Sequence, residues 1–411
     1  MKYLILGGGV AGVQAAETIR QHDPDSPITL IGGETGLPYC RPMITLVLGG
    51  KISPEQMVIR NQDFFTSFRI EAVVGEWVQQ IDVENKQVFT DKGKSYSFDR
   101  LLIATGANPK SMVLKGSDLK NVFHLRSREH VENMVRALKS AKKVLVLGCG
   151  LVGLKAALEL FHRGLEVTVA ERLGRPLPVV VDDKAGQMIS RQLERMGIKV
   201  ITDAEVTGLG GKAEVKEAFL SDGLRIPCDA VIIAVGIQPA TEFIPTEAIQ
   251  VNDGIMVNQS METTVPGIYA AGDVAESLDL AHHERRVNAI WPVAVEQGRA
   301  AGMNMAGRKV LYQGSVGRNV FRINGMDVVS GGVVNPYPEK NYEIRSMEDH
   351  RRETYRKIVF QDEVPVGFIM VNDIEQAGVF LSLVQRKIPV GKHKERLMHP
   401  SFNVKQVLPF L

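Results

Sequence analysis

Tyr3-Leu4-Ile5-Leu6-Gly7-Gly8-Gly9-Val10-Ala11-Gly12 opens the chain, and Val144-Leu145-Val146-Leu147-Gly148-Cys149-Gly150-Leu151-Val152-Gly153 repeats its pattern further on. Each reads as a short buried strand, a glycine turn and the start of a helix. The first glycine admits the tight turn, the second lets backbone approach a pyrophosphate, and the third lets helix and strand pack closely. Unpaired N–H groups at the helix start then face the phosphates. One such pattern is a weak signal. Two, each followed by a second apolar strand that leads to a carboxylate, are a strong one. Ile28-Thr29-Leu30-Ile31 leads to Glu34, and Glu166-Val167-Thr168-Val169-Ala170 leads to Glu171. A carboxylate roughly twenty residues past the glycines can accept hydrogen bonds from ribose hydroxyls. A surface Glu that merely ends a strand is the plainer alternative. Two nucleotide sites in one chain imply that one bound nucleotide passes electrons to the other.

Helices are expected over residues 11–21, 153–163, 184–196, 293–305 and 374–385, and strands over 71–74, 88–90, 100–104, 355–360 and 366–371. Asp229-Ala230-Val231-Ile232-Ile233-Ala234-Val235-Gly236 echoes Asp99-Arg100-Leu101-Leu102-Ile103-Ala104-Thr105-Gly106. Each half of this internal repeat starts with a fingerprint and closes with an apolar strand ending in Gly, so duplication of a nucleotide-binding unit is the simplest account. Val265 to Val274 reads as a turn, a buried strand and a Gly-Asp at a helix start. From about Gly317 onward, alternating strands and turns suggest a third, α+β domain. The expected fold class is α/β: two Rossmann-like dinucleotide-binding domains plus a C-terminal α+β domain. The expected boundaries are 1–109 with 235–316 for the first, 110–234 for the second and 317–411 for the third.

The 411 residues leave ample length for such a division. Hydrophobic content of 44% and charged content of 23% are ordinary for a soluble globular chain. A net charge of +2 gives no global pull toward nucleic acid or membrane. The N-terminal apolar stretch is too short for a signal peptide, and no apolar run approaches about 18 residues, so no membrane span is expected. Cys40, Cys149 and Cys228 lie far apart and form no CxxC pair, which fits the cytoplasm. The histidines show no metal-ligand spacing, and no metal is expected.

These motifs together resemble the pyridine nucleotide-disulfide oxidoreductases, flavoproteins that bind two dinucleotides. The two fingerprints, Ala104-Thr105-Gly106 and Ala271-Gly272-Asp273 carry the likeness across the whole chain. The resemblance implies FAD at the first site, NAD(H) at the second, and a FAD domain interrupted by an inserted NAD domain. Pro38-Tyr39-Cys40-Arg41-Pro42, Ile290-Trp291-Pro292-Val293-Ala294 and Gly367 to Asp373 resemble the NADH:rubredoxin reductases and the flavin region of assimilatory nitrite reductases. That branch passes electrons from NADH through FAD to a small iron–sulfur or iron protein. Carried over by position, the likeness puts Gly7, Gly9, Val10 and Gly12 at the FAD pyrophosphate and Glu34 at its ribose. Arg41 and Pro42 would lie along the cofactor, Val78 near the adenine and Arg126 near the flavin half, beside the strand end Ala104, Thr105 and Gly106. Gly272 and Asp273 would meet the ribityl chain, and Val293 and Ala294 the isoalloxazine through backbone. Gly148, Gly150, Val152 and Gly153, with Glu171, Arg172 and Gly236, would hold NAD(H). Glu171 favours NADH, while Arg172 beside it keeps NADPH open.

Two departures matter. Relatives with this loop carry Lys four residues after the Pro and Glu two residues after the last fingerprint Gly; here those positions are Leu46 and Lys155. Lys155 is expected to take over the cationic role beside the flavin, where a positive charge favours the reduced form. A Lys on the exposed side of its helix is the plainer alternative. Cys40 sits near the place where oxidases, peroxidases and coenzyme A-disulfide reductases of the superfamily keep a redox Cys, but Arg41 stands where their Gly follows. The expected partner is a rubredoxin- or ferredoxin-like carrier, drawn to basic clusters at Arg351-Arg352, Arg356-Lys357, Arg386-Lys387, Lys392, Lys394 and Arg396. A Cys40-dependent NADH oxidase, peroxidase or coenzyme A-disulfide reductase, and a flavoprotein subunit or adaptor of a larger electron-transfer complex, stay open as alternatives, as does a homodimer.

Overall fold

The computed structural model describes residues 1–399 and residue 402. In chain order its first part holds β1 (Tyr3–Leu6), α1 (Val10–His22), β2 (Ile28–Gly32), α2 (Ile44–Leu48), β3 (Ile70–Val74) and β4 (Arg100–Ile103). The middle holds β5 (Val122–His124), α3 (Arg128–Ala137), β6 (Lys143–Leu147), α4 (Leu151–His162), β7 (Glu166–Ala170), α5 (Asp183–Met196), β8 (Lys199–Ile201) and β9 (Ala230–Ile233). Then come β10 (Ile268–Ala270) and α6 (Trp291–Met305). Short strands, mostly antiparallel, two 3-10 turns and a six-residue helix at Gln62–Ser67 fill the intervals.

Two five-stranded parallel sheets dominate, in the orders β10-β4-β1-β2-β3 and β5-β9-β6-β7-β8. The two orders correspond strand by strand, with β1 and β6 as the equivalent centres, although the outer edge strand follows its sheet in the chain in the first unit (β10) and precedes it in the second (β5). Their strands are continuous apolar runs because both faces of a parallel sheet are covered; Tyr3 to Leu6 and Val144 to Leu147 are all buried. The internal repeat extends to hydrogen bonds. The Asp99 carboxylate accepts the Lys2 N–H at 2.6 Å, and Asp229 accepts those of Lys142 and Lys143 at 2.9 and 3.0 Å. Each Asp thereby fixes the entry of its unit's central strand. Ala107–Pro109 pairs antiparallel with Ile237–Pro239, so the chain leaves the first unit and re-enters it side by side. α6 returns onto α1 so closely that a Cβ on Gly298 would lie 2.3 Å from the Ala11 carbonyl oxygen. This approach brings the α6 N-terminus beside the first glycine turn.

The C-terminal part is an antiparallel sheet of β11 (Arg318–Ile323), β12 (Met326–Gly332), β13 (Tyr342–Asp349), β14 (Thr354–Gln361) and β15 (Val364–Val371), followed by α7 (Ala377–Gln385). Its order is β11-β12-β15-β14-β13. One face packs on α7 through Phe368 and Phe380. The other places Phe321, Ile323, Tyr355 and Ile369 in one core with Ile189 and Leu193 of α5. α7 begins at Ala377 rather than near 374, where the Ile374 carbonyl accepts the Ala377 N–H at 2.9 Å. α2 was not expected from the sequence; its five residues are too few for helical periodicity to register.

Candidate cofactor site

The two glycine turns share one geometry. Gly7 and Gly148 have φ of +116° and +92°, and a Cβ there would lie 2.1 and 2.6 Å from the carbonyl oxygens of Ala104 and Ala234. A Cβ on Gly12 or Gly153 would lie 2.1 or 2.0 Å from the carbonyl of the first glycine. These four are demanded by the turn and by helix–strand contact. Gly9 and Gly150 differ: a Cβ on either meets nothing within 4 Å, so each faces open space. α1 and α4 start at these two glycines, and neither has a side-chain cap among the described residues or an acidic residue in its first turn. An uncapped helix N-terminus facing a space that a side chain would fill is an anion site, and a pyrophosphate fits it. Val10 and Val152 flank the two sites, and Val152 is exposed.

Each site has its carboxylate. Glu171, directly after β7, is buried and accepts the backbone N–H groups of Cys149 at 2.7 Å and Leu173 at 2.9 Å. One oxygen is thus bound to the middle of the second fingerprint, and each oxygen keeps a lone pair for a ribose hydroxyl. Arg172 beside it is exposed. Glu34 lies past β2, paired with Arg41 at 2.5 Å, and it accepts the Tyr39 hydroxyl at 2.6 Å. Burial disfavours the Arg41 charge, yet Glu34 outweighs it and holds the guanidinium above its ordinary pKa.

The network continues across the molecule. Arg41 donates to the Arg126 carbonyl at 2.6 Å. Arg126 donates to the Ala107 carbonyl at 2.9 Å and pairs with Asp273 at 3.0 Å. Gly106, of the strand end Ala104-Thr105-Gly106, lies 3.5 Å from Arg126 when given a Cβ. Glu34 and Arg41 of one loop, with the distant Arg126 and Asp273, therefore form one chain of contacts along the first sheet's carboxyl end. Gly272 (φ +83°) donates to the buried Gln297 at 2.8 Å, which ties the Gly-Asp turn to α6. α6 starts without a side-chain cap among the described residues, and Val293 and Ala294 in its first turn are buried. The Ala294 N–H is already bonded to the Ile290 carbonyl at 3.1 Å. Pro42 forms a short 3-10 turn with Arg41 that leads into α2. Val78 is half-buried next to Trp77, whose indole occupies the place a Cβ on Gly33 would take, 2.4 Å away. Gly236 (φ +116°) accepts the Lys110 N–H at 3.0 Å where the chain re-enters the first unit. Sequence reasoning missed Tyr39, Trp77 and Gln297 as site residues. Tyr39 lay inside the quoted loop, and its hydroxyl two residues before Arg41 was the available signal.

Asp273 gives a direct test of the first site. If Asp273 holds the ribityl chain of FAD, a charge-assisted hydrogen bond to this carboxylate would contribute about 1.5–3 kcal/mol. Asp273→Ala should therefore weaken FAD binding roughly ten- to a hundredfold. Flavin content after gel filtration measures it, and full retention would exclude the assignment.

Cys40 does not sit in an activating environment. It is half-buried, its N–H donates to the Met57 carbonyl at 2.8 Å, and burial pushes the thiol up from its ordinary pKa. A reactive thiolate needs the opposite shift. Burial likewise pushes Cys149 and Cys228 up to about 12. Lys155 is half-buried in the second turn of α4, with no hydrogen bond or ion pair among the described residues.

The basic C-terminal clusters are not a uniform docking surface. Arg356 is 2% exposed, bound to Asp373 at 2.5 Å and to the Leu397 carbonyl at 2.8 Å. Lys357 is buried against Asp182 at 3.0 Å and the Val334 carbonyl at 3.0 Å. Lys394 is held by Glu343 at 2.5 Å, and Lys387 lies 3.1 Å from the His283 ring. These cations stitch the third part together, onto the second through Asp182 and onto the re-entering segment of the first through His283. Arg351, Arg352 and Arg396 remain exposed, and the Lys392 side chain lies outside the described residues.

Fold and site define an oxidoreductase built on two dinucleotide-binding units. The chain belongs to the pyridine nucleotide-disulphide oxidoreductase family, which it matches over residues 1–298. Residues 319–388 match the rubredoxin NAD+ reductase C-terminal domain. FAD and NAD(H) are its cofactors. It is 28% identical over 401 residues to the assimilatory nitrate reductase electron transfer subunit of Bacillus subtilis, covering 97% of this chain and 51% of that protein. It is 32% identical over 282 residues to rubredoxin-NAD(+) reductase of Pseudomonas putida, covering 68% of this chain and 73% of that protein. The chain spans about half the length of several curated relatives it matches. Its fold is that of the reductase in a covalent putidaredoxin reductase–putidaredoxin complex, with a TM-score of 0.91 at 24% identity over 99% of this chain and 98% of that one.

Proposed function

We propose that this chain is an NADH:acceptor oxidoreductase that passes electrons from NADH through FAD to a small redox carrier protein of the rubredoxin or ferredoxin kind. Residues 1–109 and 235–316 would form the FAD domain, 110–234 the NAD domain and 317–411 the domain that completes the acceptor face. The observation that carries the reading is the pair of matched anion cradles at Gly9 and Gly150 in one chain, each backed by its own carboxylate. The C-terminal match to a rubredoxin reductase domain supports the acceptor class.

Bound FAD supplies an acceptor for hydride and a donor of single electrons. The chain's own residues do the rest. Gly7, Gly9 and Gly12 with the α1 N-terminus would hold the FAD pyrophosphate, and Gly148, Gly150 and Gly153 with α4 that of NADH. Glu34 and Asp273, each balanced by an arginine, would orient the ribose and ribityl chain. Glu171 would accept the nicotinamide nucleotide's ribose hydroxyls, and its buried carboxylate would repel a 2′-phosphate. Lys155 would present its charge to the flavin edge. A cavity of about 200 Å³ opens beside Val10, between Arg60 and Trp291, and a second of about 490 Å³ shares Gln14 and Arg60 with it and reaches Arg299. Arg60 is paired with Glu17 at 2.9 Å while Arg299 is exposed, and this face would receive an acidic carrier through Arg299.

Among the described residues no helix is long and apolar enough to cross a membrane. The three cysteines are unpaired, and we place the chain in the cytoplasm on that ground. A role as the flavoprotein subunit of a larger complex is favoured by one relative's description as an electron transfer subunit; co-purification of redox partners tests it.

Stopped-flow reduction tests the main reading. NADH should reduce the flavin at least tenfold faster than NADPH, and the reduced enzyme should be reoxidised by rubredoxin or ferredoxin. Equal rates with both nucleotides would mean that Arg172 overrides Glu171. Reoxidation by peroxide or coenzyme A disulfide alone would transfer the function to Cys40.

A further inference from the structure

Glu159 is a buried carboxylate with half its bonding undone. It lies on α4, facing α2, and its side chain is 11% exposed. Oε1 takes the Lys51 ammonium at 2.8 Å, while Oε2 is buried with no hydrogen-bond partner among the described residues. The fit is close: a Cβ on Gly49 would lie 2.2 Å from that oxygen, so the glycine after α2 leaves room for the carboxylate. A polar oxygen withheld from water and left unpaired is costly, so a donor is called for. Arg163, one turn further along, is committed to the Leu48 carbonyl at 2.7 Å, and His162 is exposed. Lys155 stands four residues before Glu159 on the same helix face, about 5–6 Å away between Cβ atoms. It is half-buried and without a partner among the described residues.

We infer that Glu159 is a positioning residue for Lys155: its inward oxygen takes the Lys155 ammonium and steers it to the flavin edge, while Lys51 balances its other oxygen. This rests on the reading that Lys155 serves the FAD. Where the resemblance expects Lys and Glu, this chain has Leu46 and Lys155. The charge order is inverted, and the carboxylate has moved one turn along α4. A lysine carries three donors, so one bond to Glu159 leaves two for the cofactor.

The inference gives opposite signs to two effects. Removing the Glu159 charge by itself makes the site more positive and raises the flavin midpoint potential. Releasing Lys155 withdraws a cation and lowers it. The midpoint potential of the holoenzyme is measured for wild type, Glu159→Gln, Lys155→Met and the double variant. Glu159→Gln should lower the potential by most of the Lys155→Met shift and lower it no further in the Lys155→Met background. A rise in both backgrounds overturns the inference. Lysine-selective NMR of the holoenzyme gives a readout independent of turnover and potential. The Lys155 ε-methylene resonance, assigned by its loss in Lys155→Met, should move in Glu159→Gln, because the ammonium loses its charged partner. An unmoved resonance overturns the pairing, as does Lys51→Met reproducing the whole effect. If the NMR shift appears but Lys155→Met leaves the potential unchanged, the pairing holds and the steering to the flavin is overturned along with the reading of Lys155 itself.

Discussion

A Gly150→Glu variant is expected to lose reduction of its flavin by NADH, at least a hundredfold, while keeping its FAD and its fold. Gly150 has φ −71°, which any residue adopts, and a Cβ on it meets nothing within 4 Å. It is also the N-cap of α4, with no side-chain cap among the described residues. A carboxylate there interacts favourably with the helix end, so the fold has no reason to weaken. The same carboxylate would occupy the place that the proposed function gives the NADH pyrophosphate and would repel it. Like charges brought together in this way cost several kcal/mol, and each 1.4 kcal/mol is tenfold in binding. Flavin content and thermal melting should match wild type, because the first cradle at Gly9 is untouched. The sister change Gly9→Glu should expel FAD instead. Unaltered NADH kinetics in Gly150→Glu would remove the second site from this turn. Gly148→Ala is no substitute for the test: its Cβ would lie 2.6 Å from the Ala234 carbonyl oxygen, and its effect would report a broken turn.

The contrast between Gly150 and Gly148 shows what was legible in the sequence. Both βαβ units could be read because each depends on local signals: an apolar run, glycines at fixed offsets, and a carboxylate one strand later. Asp99 and Asp229 were visible as members of a repeat, yet their capping of Lys2 and of Lys142 and Lys143 needed three dimensions. The chain of contacts from Glu34 through Arg41 and Arg126 to Asp273 was named residue by residue from resemblance. Nothing in the spacing revealed that both carboxylates are already paired with arginines of this chain. Lys155 was legible as a misplaced charge. Its counterpart Glu159 was not, because α2 is too short to register in periodicity and Lys51 follows it without a motif. The C-terminal cations misled for a related reason. A charged pair in a strand reads as solvated surface unless its partners are known, and those of Arg356 and Lys357 come from other segments.

Arg356→Met carries that correction into an experiment. The guanidinium is 2% exposed, sits against Phe380 with its carbon 5.7 Å from the ring centroid, and binds Asp373 and the carbonyls of Leu397 and His399. Methionine fills much of the volume but donates nothing. Two carbonyls lose a charged donor, and Asp373 loses its partner. Asp373 is 30% exposed and regains water, which moderates the loss. Breaking such an arrangement from the buried side should cost about 2–4 kcal/mol. Thermal unfolding should fall by several degrees. Salt should not rescue it, since a buried pair is weakly screened. The docking reading of the same residue makes the opposite demand: unchanged melting, with carrier turnover that slows and loses its salt dependence. Wild-type melting together with impaired carrier reduction would return Arg356 to the acceptor surface, whereas a destabilised C-terminal sheet with intact reduction of the flavin by NADH fixes it as the bolt between β14, β15 and the segment after α7.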